Sequence, residues 1–315
     1  MGRVTRRFPV VRIDATHPQH PAGARSVETV AVEEPLELRV DGAPYTVTMR
    51  TPGHDIELAH GLLASEGVIA GVDDLSSARY CGGAARTPSL EPQVRSPEAA
   101  WLREAWRGDA PALGATDASG PQPGQNTYNV LDVRLSPGVE VSEQRRRSLV
   151  TSSACGVCGT ASIELLRQRL VFDLRADAAR VRAEVLLRLP EALLEHQATF
   201  ARTGGLHAAG LFTTEGETLV VREDVGRHNA VDKVVGWAMM NGRRPARGCV
   251  LMVSGRTSFE LAQKAVLAGV PVLAGVSAPS SLAIEVAMEA GLTLAGFVRD
   301  DRMNLYAMPE RVVAD

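Results

Sequence analysis

Beyond residue 206 the chain alternates short apolar runs with amphipathic stretches, a pattern that a helix-covered sheet accommodates and few other folds do. The runs 206–214 and 217–222 flank Glu215-Gly216, a hairpin turn, and a helical pattern over 229–240 stops at Asn241-Gly242. Strand signals follow at 249–253, 272–276 and 293–298. The helical patterns between them open at Thr257, with Glu260 three residues on as a capping box, and at Ser281. A last strand is expected around Asn304 and Tyr306. Such alternation implies parallel neighbours joined by right-handed crossovers, and β-β-α-β-α-β-α-β predicts a three-layer α/β/α sandwich. Two helical patterns lead into it, at 161–170 and 190–202, the second expected to start on Pro190 and end on Gly204-Gly205.

The upstream half reads as a smaller α+β domain over 27–148. Residues 27–50 alternate apolar and polar side chains around Asp41-Gly42, 55–66 have helical spacing, and 128–135 again read as strand. Between them, 82–125 hold 6 Pro and 6 Gly, against 35 such residues in the rest of the chain, and this predicts a long insertion with a short helix near Trp101 and Trp106. Residues 1–26, rich in Arg, Pro and His without apolar periodicity, read as a mobile surface arm. A loop over 149–160 then separates the small domain from a C-terminal domain over 161–315.

With 315 residues, 45% of them hydrophobic, the chain can bury a large core. Its 34 basic and 37 acidic residues create no general positive field, so no nucleic-acid partner is expected. No window approaches the apolar length of a membrane span, and Arg6-Arg7 lacks the apolar segment of an export signal. Four cysteines in so long a chain are not a disulfide framework, which fits a reducing cytoplasm. Of the basic residues only Lys233 and Lys264 are lysine, and both lie in segments of interest, where a compact ammonium does what the wide guanidinium does poorly.

Cys155-Gly-Val-Cys158 places two thiols on a Gly-flanked loop before a helical pattern, near Arg145, Arg146 and Arg147. A helix N-terminus and guanidinium groups favour the thiolate, the nucleophile of exchange at sulfur, so Cys155 is a candidate to carry sulfane sulfur as a persulfide. Three other readings stand beside it: a composite zinc site, a redox pair, and a purely structural role for buried thiols. Three further segments share a strand end, a Gly-rich polar loop and a helix start. They contain Gly226, Arg227 and His228, then Ser254, Gly255 and Arg256, then Ser277. At the carboxyl ends of parallel strands such loops offer free N–H groups to anions, which implies a phosphate-bearing ligand, although ordinary capping explains each loop singly. His207 and His228 are the histidines set apart by neighbouring glycines. Phe297, Val298, Arg299, Asp300, Asp301 and Arg302 supply an aromatic face and two guanidinium groups suited to a nucleotide.

Taken in order, CGVCG at 155–159, TGGLHAA at 203–209, EDVGRHNAVDK at 223–233, SGRTS at 254–258, SAPSSL at 277–282 and GFVR at 296–299 resemble the formate dehydrogenase accessory sulfurtransferase family, FdhD. The resemblance is dense over 150–307 and weaker back to about 27. It implies a cytoplasmic, homodimeric sulfur carrier with a C-terminal domain of the cytidine deaminase-like fold. The carrier would take sulfur from a cysteine desulfurase and pass it to the molybdenum of the bis(molybdopterin guanine dinucleotide) cofactor, required for formate dehydrogenase. It also implies that Cys155 is the persulfide residue, that Cys158 is the second loop thiol, that Phe297 to Arg302 contact the cofactor, and that GDP binds as its fragment. An alternative in the same setting is a cofactor-binding chaperone whose cysteines only shape the loop. Zinc deaminases of that fold use H-x-E with P-C-x-x-C, whereas Ala208-Ala209 follow His207 and Ala154 precedes Cys155, so no metal and no metal-activated water is expected.

Overall fold

The computed structural model describes residues 4–13, 24–81, 128–141 and 171–314. The pair Cys155 and Cys158, the arginines at 145–147, the helical pattern at 161–170 and the insertion at 82–125 lie outside these residues.

The stretch read as an arm carries a strand. β1 (Thr5–Arg12) runs antiparallel to β2 (Ala24–Ala31) in a two-stranded sheet. Most β1 side chains are exposed, so this ribbon has no core-facing stripe for a periodicity argument to detect. β3 (Glu34–Val40) and β4 (Ala43–Arg50) form the hairpin expected at Asp41-Gly42, whose φ values of 52° and 77° are the left-handed pair that a two-residue type I′ turn needs. α1 (Asp55–Ser65), β5 (Leu75–Tyr80) and β6 (Val130–Leu135) follow. They complete a sheet of order β4-β3-β6-β5, with Leu58 and Leu63 of α1 packed on Leu36, Leu38 and Leu131.

The C-terminal part opens with β7 (Val181–Arg182), α2 (Ala183–Glu195) and α3 (Ala198–Thr203). Pro190 lies inside α2, not at the start of a helix as its position in the sequence pattern predicted. A mid-helix proline costs about 3 kcal/mol. Burying Val185, Leu186, Leu189 and Leu193, each worth roughly 1.5–3 kcal/mol, outweighs it. The chain breaks at His196-Gln197, and Gly204 with φ 64° closes α3.

Then come β8 (His207–Thr213), β9 (Thr218–Asp224), α4 (Arg227–Met240), β10 (Cys249–Val253), α5 (Phe259–Leu267), β11 (Val272–Gly275), α6 (Ser281–Ala290), β12 (Thr293–Arg299) and β13 (Arg302–Ala307). β14 (Val312–Val313) returns to pair with β7. The large sheet has the order β13-β12-β11-β10-β8-β9. β10, β11 and β12 are parallel, as the alternation required, and β8, β9 and β13 are antiparallel to their neighbours. α4, α5 and α6 bury Val234, Leu261 and Val286 on one face, and α2 buries Leu186 and Leu189 against Phe212 and Met252 on the other. Helices therefore cover both faces of the sheet.

Thr257 does not open α5; Ser258 is the capping residue and makes no side-chain cap bond. The Thr257 backbone is committed elsewhere. Its N–H donates to Ala278 O at 3.2 Å and its carbonyl accepts from Ser280 N–H at 2.9 Å, which extends the parallel pairing of β10 and β11 into their loops.

The two parts meet where α1 crosses α4 with backbones in contact. A Cβ on Gly61 would lie 1.9 Å from Asp232 O, and one on Gly236 would lie 1.8 Å from Glu57 O. Only glycine fits at either point. Ion pairs flank the crossing. Arg222 donates to both Glu57 oxygens at 2.5 and 2.7 Å. Lys233 Nζ sits 2.7 Å from Asp224 Oδ2 and donates to Thr51 O at 3.0 Å and Glu223 O at 3.3 Å. Lys264 Nζ donates to Asp232 at 2.6 Å, which also accepts from Ser65 Oγ at 3.1 Å. Both lysines of the chain are thus seam residues. Three acceptors around Lys233 match three ammonium protons, a geometry that a planar fork does not fill.

Candidate functional site

The carboxyl ends of the parallel strands gather residues that are far apart in sequence. His207 at the start of β8 lies on this edge because Ala209 pairs with Val253, the last residue of β10. Ser254 follows, its N–H donating to Ala208 O at 3.0 Å and its Oγ accepting from Ala208 N–H at 2.9 Å. Gly255 brings its backbone beside the His207 ring, where a Cβ would stand 3.5 Å from Nδ1. Ser277, after β11, accepts from Phe297 N–H at 3.2 Å and so ties the end of β12 to the neighbouring loop. Gly226 caps α4, held by its N–H to Asp224 Oδ1 at 2.8 Å, and Arg227 and His228 form the first turn. Of the sequence-derived site residues that are described, this edge brings all but one to the surface of the sheet end.

The exception is Val298, which is fully buried in the core beneath α2. It faces the interior because successive strand residues alternate between faces, so its side chain is not presented at the edge where the sequence pattern placed it. Phe297 and Asp300 have φ of 51° and 55°, and the register slips between Gly296 and Arg299. That bulge turns the tip outward, leaving Arg299, Asp300, Asp301 and Arg302 exposed with the Arg299 guanidinium 5.7 Å above the Phe297 ring. Arg256 is exposed as well.

Electrostatics divide the histidines. Burial, then the charges of Arg227 and His228, hold the His207 imidazole below its ordinary value, so it is neutral at neutral pH and can both donate and accept. His228 is engaged differently: Nε2 lies 2.7 Å from Glu260 Oε2 and 3.3 Å from Ser258 Oγ. Its hydrogen bond outweighs burial and holds the Glu260 carboxyl below the usual range. Arg227 Nε and Thr257 Oγ1 are buried without a hydrogen-bond partner among the described residues.

Beside these loops opens a cavity of about 610 Å³ lined by His207, Ser254, Val225 and Val276 from the sheet edge, and by Leu193, Gln197 and Phe200 from α2 and α3. Sequence reasoning missed Gln197, because an isolated glutamine between two helical patterns carries no signal. It also missed Asp224, whose role depends on the distant Thr51 and Lys233.

Cys155 and Cys158 lie outside the described residues. Of the other cysteines, Cys249 is buried in β10 with its thiol pushed up by burial, which disfavours the thiolate, and Cys81, half-buried, follows β5 in the small domain. Among the described residues no three His, Cys, Asp or Glu side chains are placed to hold a metal ion, and no helix is long and apolar enough to cross a membrane.

The FdhD/NarQ family model matches residues 31–313. The sulfur carrier protein FdhD of Nocardia farcinica is 49% identical over 312 residues, 99% of this chain and 96% of the relative. That of Streptomyces coelicolor is 47% identical over 315 residues, 99% and 97% of the two chains. A crystal structure assigned as a formate dehydrogenase accessory protein of Desulfotalea psychrophila superposes with a TM-score of 0.64 at 20% identity, covering 98% of this chain and 99% of the other.

Proposed function

The chain belongs to the FdhD/NarQ family, and from that premise we propose that it is a sulfur carrier serving formate dehydrogenase. In this reading Cys155 accepts sulfur from a cysteine desulfurase and delivers it to the molybdenum of the bis(molybdopterin guanine dinucleotide) cofactor, the cargo of the reaction. The carrier acts in the cytoplasm as a homodimer, and its C-terminal layers are of the cytidine deaminase-like type. Attack of the Cys155 thiolate on the terminal sulfur of a donor persulfide forms Cys155-S-SH and releases the donor thiolate, with no net redox change. Delivery of that sulfur as sulfide takes two electrons, which Cys158 supplies by attacking Cys155 sulfur and closing a disulfide.

One observation supports the cargo assignment: four separate loops converge at the sheet edge on a cavity with no acidic side chain among its lining residues, and Arg256, Arg299 and Arg302 are exposed on loops at the same end of the sheet. Phosphates of a dinucleotide suit Arg256, Arg299 and Arg302, and GDP serves as the fragment that reports on them.

Desulfurase-dependent loading tests the carrier role. Wild type is expected to gain the mass of one sulfur atom, and Cys155→Ala to gain none. Equal loading of the two proteins removes the assignment to Cys155, and formate dehydrogenase activation by the unloaded variant favours the chaperone reading.

A further inference from the structure

The β1–β2 ribbon stands apart from the body of the molecule. No residue of either strand belongs to a hydrophobic core of the described chain, and two strands by themselves bury too little apolar surface to be stable in water. At its base Arg202 of α3 donates to Thr5 Oγ1 at 3.1 Å, and Val32 N–H donates to Val4 O at 3.0 Å. The family model begins at residue 31, so β1 lies outside what it describes. The two faces of β1 differ. On one, Arg6 lies 5.1 Å over the Phe8 ring and Arg12 pairs with Glu28, so the cations are engaged within the ribbon. On the other, Arg7 has no partner among the described residues and is followed by Pro9 and Val11, with Val27 of β2 standing opposite Pro9. Val11 is 58% exposed, and Ile13, just past the strand, 75%. Residues 4–13 hold three arginines and no acidic residue in a chain of net charge −3, so the rest of the molecule is acidic.

We propose that the Arg7 face of the ribbon docks on the outer face of α2 in a second copy of the chain, each protomer giving its ribbon to the other. This rests on the homodimer named above and assigns its contact. α2 carries the complement. Leu194, 52% exposed, stands beside Glu191 and Glu195, both exposed and without a partner among the described residues, whereas Glu184 on the first turn is held by Arg182 and Arg188. Spacings of three and four residues set Glu191, Leu194 and Glu195 on one helix face. An apolar strip with a cation at its end thus meets an apolar side chain between two carboxylates, and neither surface is covered within its own chain. A two-fold axis repeats the contact with the roles exchanged, so the pairing closes as a dimer and does not propagate.

Sedimentation velocity of the full chain at low ionic strength tests the contact by charge exchange. Wild type is expected to be a dimer. Arg7→Glu sets three carboxylates together at each contact, and Glu191→Arg with Glu195→Arg sets three guanidinium groups there; each protein alone is expected to dissociate at about 30-fold higher concentration than wild type or more. All three positions are exposed, so both variants are expected to unfold at the wild-type temperature. Mixed in equal amounts they are expected to regain the wild-type dissociation constant, because in the mixed dimer both contacts join opposite charges. If both variants dimerise as wild type does, or if the mixture fails to recover, the ribbon does not dock on α2 and the proposal is overturned, while a homodimer through another surface stands. Chains that stay monomeric but bind vesicles of anionic phospholipid through Arg7 would assign the ribbon to a membrane surface instead. A monomeric wild type overturns the proposal and the homodimer together, and sulfur loading on Cys155, scored on the same preparation, judges the carrier reading separately.

Discussion

One helix, α4, passes through two regions that treat polar groups in opposite ways. In its middle, along the seam with α1, the buried charges are matched: Lys233 by Asp224 and two carbonyls, Asp232 by Lys264 and Ser65. At its start, on the sheet edge, Arg227 Nε is buried without a hydrogen-bond partner among the described residues, and a cavity lined in part by Gln197 opens beside it. The seam pairs its buried charges within the protein, whereas the edge leaves Arg227 Nε and Thr257 Oγ1 without a hydrogen-bond partner among the described residues. Asp224 belongs to both, because the carboxylate that binds Lys233 and Thr51 N–H also accepts from Gly226 and from Asn229 Nδ2.

Removing Asp224 therefore tests the contrast most severely. Asp224→Ala leaves Lys233 as an uncompensated buried charge and is expected to cost about 3–5 kcal/mol in urea unfolding of the full chain. A loss below about 1 kcal/mol would mean that the seam does not depend on its charges. Gly236→Ala comes next, at about 3 kcal/mol, since its Cβ would meet a carbonyl at 1.8 Å and the helices must part. The folded fraction of this variant is expected to keep wild-type GDP affinity; weaker binding would show that seam and edge are mechanically one region.

The smallest effect is pH-dependent. Burial pushes the Glu57 carboxyl up, but Arg222 and then His54 outweigh it, so its folded value lies below the usual carboxylate range. A depressed folded value contributes stability that is full above the unfolded value and is lost as pH falls through the folded one. Glu57→Gln is thus expected to cost about 1–2 kcal/mol at neutral pH, and its unfolding free energy should converge on that of wild type in acid. A gap that persists at low pH would assign the loss to packing and not to the ion pair.

Sequence reading served the sheet edge far better than the seam. The bounds of β10 and α6 and the turn at Asp41-Gly42 follow from local pattern, and local pattern was enough to gather His207, Ser254, Ser277 and the Phe297 hairpin at one end of the sheet. Pro190 misled because its helix-start preference is a local rule that four buried aliphatic side chains override. Thr257 misled because its backbone was claimed by a neighbouring loop. Gly61 and Gly236 are unremarkable until the fold places them opposite each other's carbonyl neighbours, and nothing in one sequence announces such a pairing. That the Gln197 side chain does not cap α3 was invisible for a related reason: Glu223, from another element, takes over the capping role.

The scarcity of lysine acquires a practical meaning in the folded molecule. With Lys233 only 1% exposed and the side chain of Lys264 15% exposed, reagents that acylate amines meet almost no side-chain target on the native surface. A label on Lys233, sealed at the seam with its ammonium on Thr51 O and Asp224, marks a molecule in which that seam has opened, so the chain carries its own chemical reporter of the opening.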